Sequence, residues 1–394
     1  MTPRRPTGND GFALPATLLA VVVIGALVTT GLLSAMQADR SSASARIGNH
    51  AFLAAERGLE DMMGLKNRIY LEDSVGVAGV GADTVGPVAV TVGGVSAQYT
   101  LYVRRLNQLL YMVESEGEVL SAGRYAGSKR RLTELVRAGY TYFEKDRAVT
   151  THVPLRLRGQ SGVRGMDSIP PDWTGCVGMG ERTGVVSTDT TTLDIKGGGL
   201  GGLYGNPPAT EDATLDSLDF IQYGDMLLED LAFRADIKLP PATYTGMGPV
   251  ESGGVCDKTN QLNWGEPNDT TSACHFYWPI IYSAGDLHLS QGYGQGIMVV
   301  EGDLVLTGDF EFAGLIFVYG ALRASGTGNK MVGSVSILGA SPNVTEIGTT
   351  GAGNTNIQLS TCAIERAHRY SERFARPIPL AERKFVELSG LGLN

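Results

Sequence analysis

The sequence predicts an α+β protein. A long N-terminal helix, transmembrane in its first part, packs on a small antiparallel sheet, and a β-rich domain follows, built as a short parallel β-solenoid. Three observations carry this reading. The stretch from Phe12 to Met36 is uncharged and mostly apolar. Short runs between Ala97 and Tyr142 are β-like, and the first of them alternates apolar and polar residues. The C-terminal half holds a weak repeat whose central glycines, Gly285, Gly302 and Gly320, are 17 and 18 residues apart.

Composition sets the outer bounds. A chain of 394 residues suggests two or three domains. Hydrophobic residues make up 43%, enough for real cores, and the 53 glycines, with no collagen period, point to turn-rich β structure. The net charge of -9 argues against a nucleic-acid partner, which needs a basic footprint. The four cysteines show no C-x-x-C spacing, so no zinc knuckle is expected; an even number suits disulfides in an oxidising compartment.

The apolar run is long enough to cross a hydrocarbon core of roughly 30 Å at about 1.5 Å per residue. Arg4 and Arg5 precede it. Arg40, Arg46 and Arg57 follow it, offset by Asp39, Glu56, Glu60 and Asp61. The positive-inside rule counts Lys and Arg and gives acids little weight, so it adds little here; the leader is read as cytoplasmic and the C-terminal part as exported chiefly on the motif at Gly11 and Phe12. A cleaved secretory signal has a shorter apolar core with its small-residue cleavage site on the far side. A simple uncleaved anchor is the other alternative. A buried soluble helix fits poorly, because no charge interrupts the run.

The opening MTPRRPTGNDGFALPATLLAVVVIGAL resembles the class III signal of type IV pilins: a short basic leader, Gly11, Phe12, then the apolar helix. The resemblance implies that a prepilin peptidase cuts after Gly11 and methylates Phe12 as the new N-terminus, the helix staying attached. Pro15 falls in the first helical turn, where proline is tolerated. Major pilins usually carry Glu at the fifth mature residue; here that position is Ala16, an absence shared by some minor pilins and the large minor pseudopilin of type II secretion. The departure argues against a major pilin.

From Ser41 to about Lys66 the sequence becomes amphipathic, with Ile47, Ala51, Ala54, Ala55, Gly58, Met62 and Leu65 near a 3.6-residue period. One continuous helix of about 80 Å is expected. AFLAAERGLEDM, Ala51 to Met62, resembles the matching stretch of PilX-type pilus assembly proteins, and its small residues allow close approach of a sheet or partner helix. Val75 to Val95 reads as a loop plus a short strand. Ala97 to Arg104, Leu109 to Glu116 and Leu132 to Tyr142 read as strands of a small antiparallel sheet.

Residues 157 to 260 look loop-dominated, with one helix over Leu218 to Phe233. IIYSAGDLHL, IMVVEGDLVL and LIFVYGALRA then align as repeats, with MVGSVSIL a poorer copy. Units of this size suit a parallel β-solenoid; consecutive hairpins of a sandwich are the alternative. Helical runs over Ala363 to Arg373 and Leu380 to Leu388 are expected to cap the last rung. The resulting domains are 1–11 leader, 12–36 transmembrane helix, 37–74 exported amphipathic helix, 75–149 pilin-like sheet and 150–394 β-rich domain.

No catalytic residue, metal site or cofactor is expected. KGGGLGGLYG, Lys196 to Gly205, lacks the Lys-Ser/Thr of a P-loop. His50, His152, His275, His288 and His368 are scattered, without paired ligand spacing. Asp286, Asp303 and Asp309 suggest an acidic row of the kind solenoid glycosidases and lyases use, but the first two directly follow turn glycines. Cys256 and Cys274 are expected to close a local loop, leaving Cys176 and Cys362 to pair by exclusion. Asp257, Trp264, Glu266 and Asp269 in that loop form a candidate binding loop, for calcium or for adhesion, although no EF-hand pattern is present; a plain disulfide-closed surface loop is the stronger alternative, and Trp264 reads equally as a small local core.

The pilin resemblance implies a structural or assembly subunit of a type IV pilus or secretion pseudopilus, at the tip or in priming. Its partners would be other pilin or pseudopilin subunits met through the N-terminal helix, the prepilin peptidase and the inner membrane. The chain would cross that membrane once, with its C-terminal domain in the periplasm or outside, in an extracellular fibre. A tip adhesin is the second reading, and an envelope-anchored carbohydrate-active enzyme the third.

Overall fold

The structure is a computed structural model of the chain. It describes residues 13–65, 70–76, 81–107, 109–120, 127–138, 146–197, 202–223, 226–339, 344–348, 354–371, 377–380 and 386–387. Gly11 and Phe12 lie outside these.

Helix α1 (Ala13–Leu65) runs 53 residues without interruption. Every residue from Pro15 to Ser42 is exposed. The hydroxyls of Thr29 and Thr30 donate to the carbonyls of Gly25 and Ala26, both at 2.7 Å, so neither asks for an outside partner. Burial begins on one stripe: Ala51, Ala54, Ala55, Gly58, Leu59 and Met62, the spacing of a single helix face.

That stripe meets an antiparallel sheet of β1 (Ala82–Val92), β2 (Val95–Arg105), β3 (Leu110–Val119) and β4 (Lys129–Ala138), paired in that order. Strand β1 is longer than the short strand expected there, and a register shift between Val85 and Val88 accommodates Pro87, which has no N–H to give the ladder. Gly93 and Gly94, both at positive φ, make the two-residue turn into β2. Ala55, Leu59 and Met62 share one buried cluster with Tyr99, Leu101, Val113, Leu132 and Val136. The two backbones nearly touch. A Cβ added to Gly117 would stand 2.1 Å from the Ala51 carbonyl oxygen, and one added to Gly58 would stand 2.3 Å from the Ser115 hydroxyl. Tyr99 donates to Asp61 at 2.6 Å, and Asp61 pairs with Arg57 at 3.2 Å. On the other face Glu116 accepts from Lys129 and Arg131 at 2.7 and 2.6 Å.

The next segment holds β5 (Arg147–Thr151), β6 (Leu155–Gly159), β7 (Gly162–Arg164), β8 (Thr183–Ser187), β9 (Leu193–Gly197), β10 (Gly202–Tyr204) and β11 (Ala209–Glu211). It is thus strand-bearing where loops were expected. The expected helix over Leu218 to Phe233 is two, α2 (Ser217–Ile221) and α3 (Leu228–Arg234). A ribbon of β12 (Gln222–Tyr223) and β13 (Met226–Leu227) separates them. Then come β14 (Ile237–Leu239), β15 (Ala242–Tyr244), a ribbon of β16 (Glu251–Ser252) and β17 (Val255–Cys256), β18 (Ile280–Ser283), β19 (Leu287–Val300) and β20 (Leu304–Val318). β21 (Leu322–Ser325), β22 (Thr327–Ile337), β23 (Thr345–Ile347), β24 (Asn354–Leu359) and helix α4 (Thr361–Tyr370) follow. The last elements are β25 (Pro377–Pro379) and β26 (Val386–Glu387), both paired with β4. Val386 and Glu387 are therefore strand, not part of a helix from Leu380 to Leu388. The β-rich unit is an insertion in the first one: the chain leaves β4 and comes back to it.

The inserted strands form three parallel ladders. One carries the row Ile237, Ile281, Met298, Ile316, Val335, Val149, Val185. A second carries Tyr244, Leu289, Leu306, Ala324, Ile347, Leu157, Ile195. A third carries Phe312, Met331, Ile357, Val163, Leu203. The ladders join at a glycine corner, Gly296, Gly314 and Gly333, paired in register and all at positive φ. A Cβ on Gly314 would lie 2.0 Å from the Gly296 carbonyl oxygen, so the corner admits nothing larger.

Order along the stack differs from order along the chain. The chain enters at β5–β7 in the middle and builds outward to β11. It then crosses back along the flank. Phe220 packs edge-on to His152, Tyr223 donates to Ser336 at 3.0 Å, and α3 packs on β18. It restarts at β14 and winds inward until β22, β23 and β24 meet β5, β6 and β7. Helix α4 lies on β19, β20 and β22.

The contact between α1 and the sheet predicts a substitution effect. Gly117→Ala should lower the stability of the detergent-solubilised chain by about 1–3 kcal/mol, because backbone must move. Gly64→Ala, whose Cβ would meet nothing within 4 Å, should not lower it. Thermal unfolding of both variants checks this.

Candidate functional site

Two regions carry the candidate functional residues. The first is the exposed part of α1. Leu18, Leu19, Val21, Val22, Ile24, Leu27 and Val28 are each more than half exposed. Among the described residues this is one helix long and apolar enough to cross a membrane.

The second region is the cysteine loop. Cys256 and Cys274 are joined, with Cα atoms 4.9 Å apart. Trp264 is fully buried: it packs edge-on to Phe310, and its Nε1–H donates to the Gln261 carbonyl at 3.0 Å. It is a core residue and not an exposed contact, because the loop folds inward over β19 and β20. Glu266 is buried as well. Its Oε1 accepts from the backbone N–H of Asn268 and Asp269, and its Oε2 from the Tyr293 hydroxyl at 2.9 Å. Asp257 and Asp269 are turn residues. Each accepts from a threonine two positions on, Thr259 or Thr271, through both hydroxyl and backbone N–H. Those hydrogen bonds hold both carboxyls below the usual range. The loop does not gather these acids round one point, and among the described residues no group of three or more His, Cys, Asp or Glu side chains is placed to hold a metal ion.

The acidic row also resolves into turns. Asp286 accepts from the backbone N–H of Asp303, and Asp303 from that of Ala321, both at 2.8 Å. Each carboxylate thus caps the equivalent turn of the next strand pair, and Asp303 also meets Arg323 at 3.1 Å. Asp309 sits in a different ladder, opposite Gln291.

Sequence reasoning passed over one buried polar cluster. The His275 Nδ1–H donates to the Glu266 carbonyl at 3.0 Å, and its Nε2 accepts from Arg366 at 3.1 Å. Arg366 also donates to the Thr174 carbonyl, and its guanidinium lies 4.2 Å over the Trp173 ring. Trp173 Nε1 donates to the Pro267 carbonyl, and Trp278 Nε1 to that of His275. Cys176 and Cys362 are joined beside it, with Cα atoms 5.5 Å apart. The cluster ties together the segment after β7, the cysteine loop and α4. Its one signal in the sequence is the spacing of Cys362 and Arg366, four apart and so on one helix face. Burial lowers the pKa of His275, with Arg366 adding to it, and burial lowers that of Arg366 too.

No protein-family model matches the chain, and no curated protein matches it significantly. Among solved structures, the competence-associated pilin ComZ from Thermus thermophilus is 13% identical, with a TM-score of 0.25, over 87% of this chain and 97% of that one. A likeness of that size does not establish a shared fold.

The His275 cluster makes stability pH-dependent. A histidine whose folded pKa is depressed contributes stability that is present above its unfolded pKa, about 6.5, and is lost as pH falls through the folded value. Unfolding midpoints should therefore drop from pH 7.5 to pH 5.5. His275→Gln, which keeps an acceptor for Arg366 and does not titrate, should flatten that part of the profile. An equal drop in the variant would contradict the assignment.

Proposed function

We propose that the chain is a pilin-like structural subunit, anchored by α1 in the inner membrane and assembled with other pilin or pseudopilin subunits through that helix. The observation that carries the reading is the division of α1. Its apolar part is exposed throughout from Pro15 to Ser42, while its last four turns hold the sheet. A helix whose apolar surface is left uncovered needs a bilayer or neighbouring helices to cover it. The class III signal resemblance supplies the route: cleavage after Gly11, methylation of Phe12, and transfer of the helix from membrane to bundle.

The β-rich insert is read as a short parallel β-solenoid, supported by the three ladders and the stacked glycine corner. Its bulk beside a small sheet fits repeated packing along a thin fibre poorly. With Ala16 in place of the glutamate of major pilins, this favours a tip or priming position.

Processing gives the test. In a host carrying a prepilin peptidase, intact-mass analysis should find a chain beginning at a methylated Phe12. Gly11→Leu should leave the leader attached, because the peptidase needs a small residue before the cut. A mature chain beginning near Met36, or an uncut wild-type chain, would contradict the reading.

A further inference from the structure

The inserted stack has one seam that no chain connection closes. Elsewhere, neighbouring turns of the stack follow each other within a few tens of residues. At the seam, β5, β6 and β7 pair with β22, β23 and β24, segments that lie at the two ends of the insert. Both ends of the insert are also where it is tethered: the chain enters after Ala138 and returns at Pro377, and these two residues are themselves paired. Any displacement of the insert relative to the sheet therefore acts first on the seam strands.

The disulfide Cys176–Cys362 spans this seam. Cys176 lies in the segment after β7, and Cys362 in the first turn of α4, directly after β24, 186 positions on. Around it the same two sides are held by polar contacts. Asp167 accepts from the backbone N–H and the hydroxyl of Thr361 at 2.8 and 2.6 Å, and Arg366 donates to the Thr174 carbonyl. The other disulfide, Cys256–Cys274, closes a separation of 18 residues within one loop and so does not covalently join the two sides of the seam.

We infer that Cys176–Cys362 is the lock of the seam, and that its reduction opens the stack in the middle while the strands on either side keep their pairing. The physical reason is loop closure. Separating two turns that are continuous in the chain frees little chain, whereas without the disulfide the two sides of the seam are joined covalently only through the whole insert, and otherwise rest on the Ala138–Pro377 pairing and the polar contacts. The lock is redox-sensitive. A dithiol reductant supplies two electrons and two protons, the S–S bond breaks, two thiols form and the reductant becomes a disulfide.

Hydrogen–deuterium exchange on the full chain in detergent tests this. The oxidised protein is compared with protein reduced by dithiothreitol, the two thiols being confirmed by alkylation, and with the C176S/C362S variant. On loss of the disulfide, exchange in residues 147–164 and 334–359 should rise roughly tenfold or more, while β19 and β20 stay protected. The C256S/C274S variant should leave the seam protected. Unchanged exchange at the seam, or an equal rise through the whole stack, would overturn the inference. Reduction of the already folded wild-type chain gives the answer even if the double serine variant fails to fold.

Discussion

The structure depends on how closely one helix approaches one sheet. Helix α1 is exposed along its apolar part, from Pro15 to Ser42, and buried on one stripe after it. Its hold on the sheet centres on the stripe from Ala51 to Met62, with Gly48, Phe52 and Met63 beside it. Alanine and glycine bury little area each, so large side chains do not secure that hold. They allow backbone to meet backbone: Gly58 against Ser115 and Tyr99, and Gly117 against Ala51 and Ala55. Leu59 and Met62 then reach the cluster built on Leu101, Val113 and Leu132, and the bond from Tyr99 to Asp61 fixes the rotation of the helix. A bulkier stripe would push the helix off the sheet.

The insert solves a different problem by repetition. Its rows of Ile, Leu, Met and Val stack like on like, so each strand buries its face on the next. Sharp corners need glycine where φ is positive, as at Gly296, Gly314 and Gly333. Where the chain turns between ladders, Asp286 and Asp303 accept the N–H of the following turn and keep the spacing constant. These residues look like functional candidates in the sequence because they recur, but recurrence here serves the stacking.

Much of this architecture was legible in the residues. The uninterrupted apolar run, and the small residues at Ala51, Ala54, Ala55 and Gly58, marked both parts of α1 and its buried face. The repeat at Gly285, Gly302 and Gly320 marked the strands that are long enough to show a pattern. The strands from β5 to β11 escaped because each has only three to five residues, too few for a period, and the segment from Gly165 to Arg182 separates two of them. Val386 and Glu387 carried a helical pattern, but the open edge of β4 took them as strand; pairing with a distant edge leaves no local trace. Trp264 read equally as a surface contact and as a small local core, because its polar neighbours give no apolar pattern to decide by; the ring fills the space beside Phe310. The cluster of His275, Arg366 and Trp173 joins residues up to 193 positions apart, which spacing alone does not reveal.

On the proposed function, α1 brings this chain into a filament and the large insert places it at an end. Electron microscopy of fibres from cells carrying a tag on the inserted domain tests it most directly. Label is expected at one end of each fibre, and no label when residues before Ser41 are deleted. Label spaced along the whole fibre, or fibres that never carry label while the tagged chain is made and processed, would contradict it.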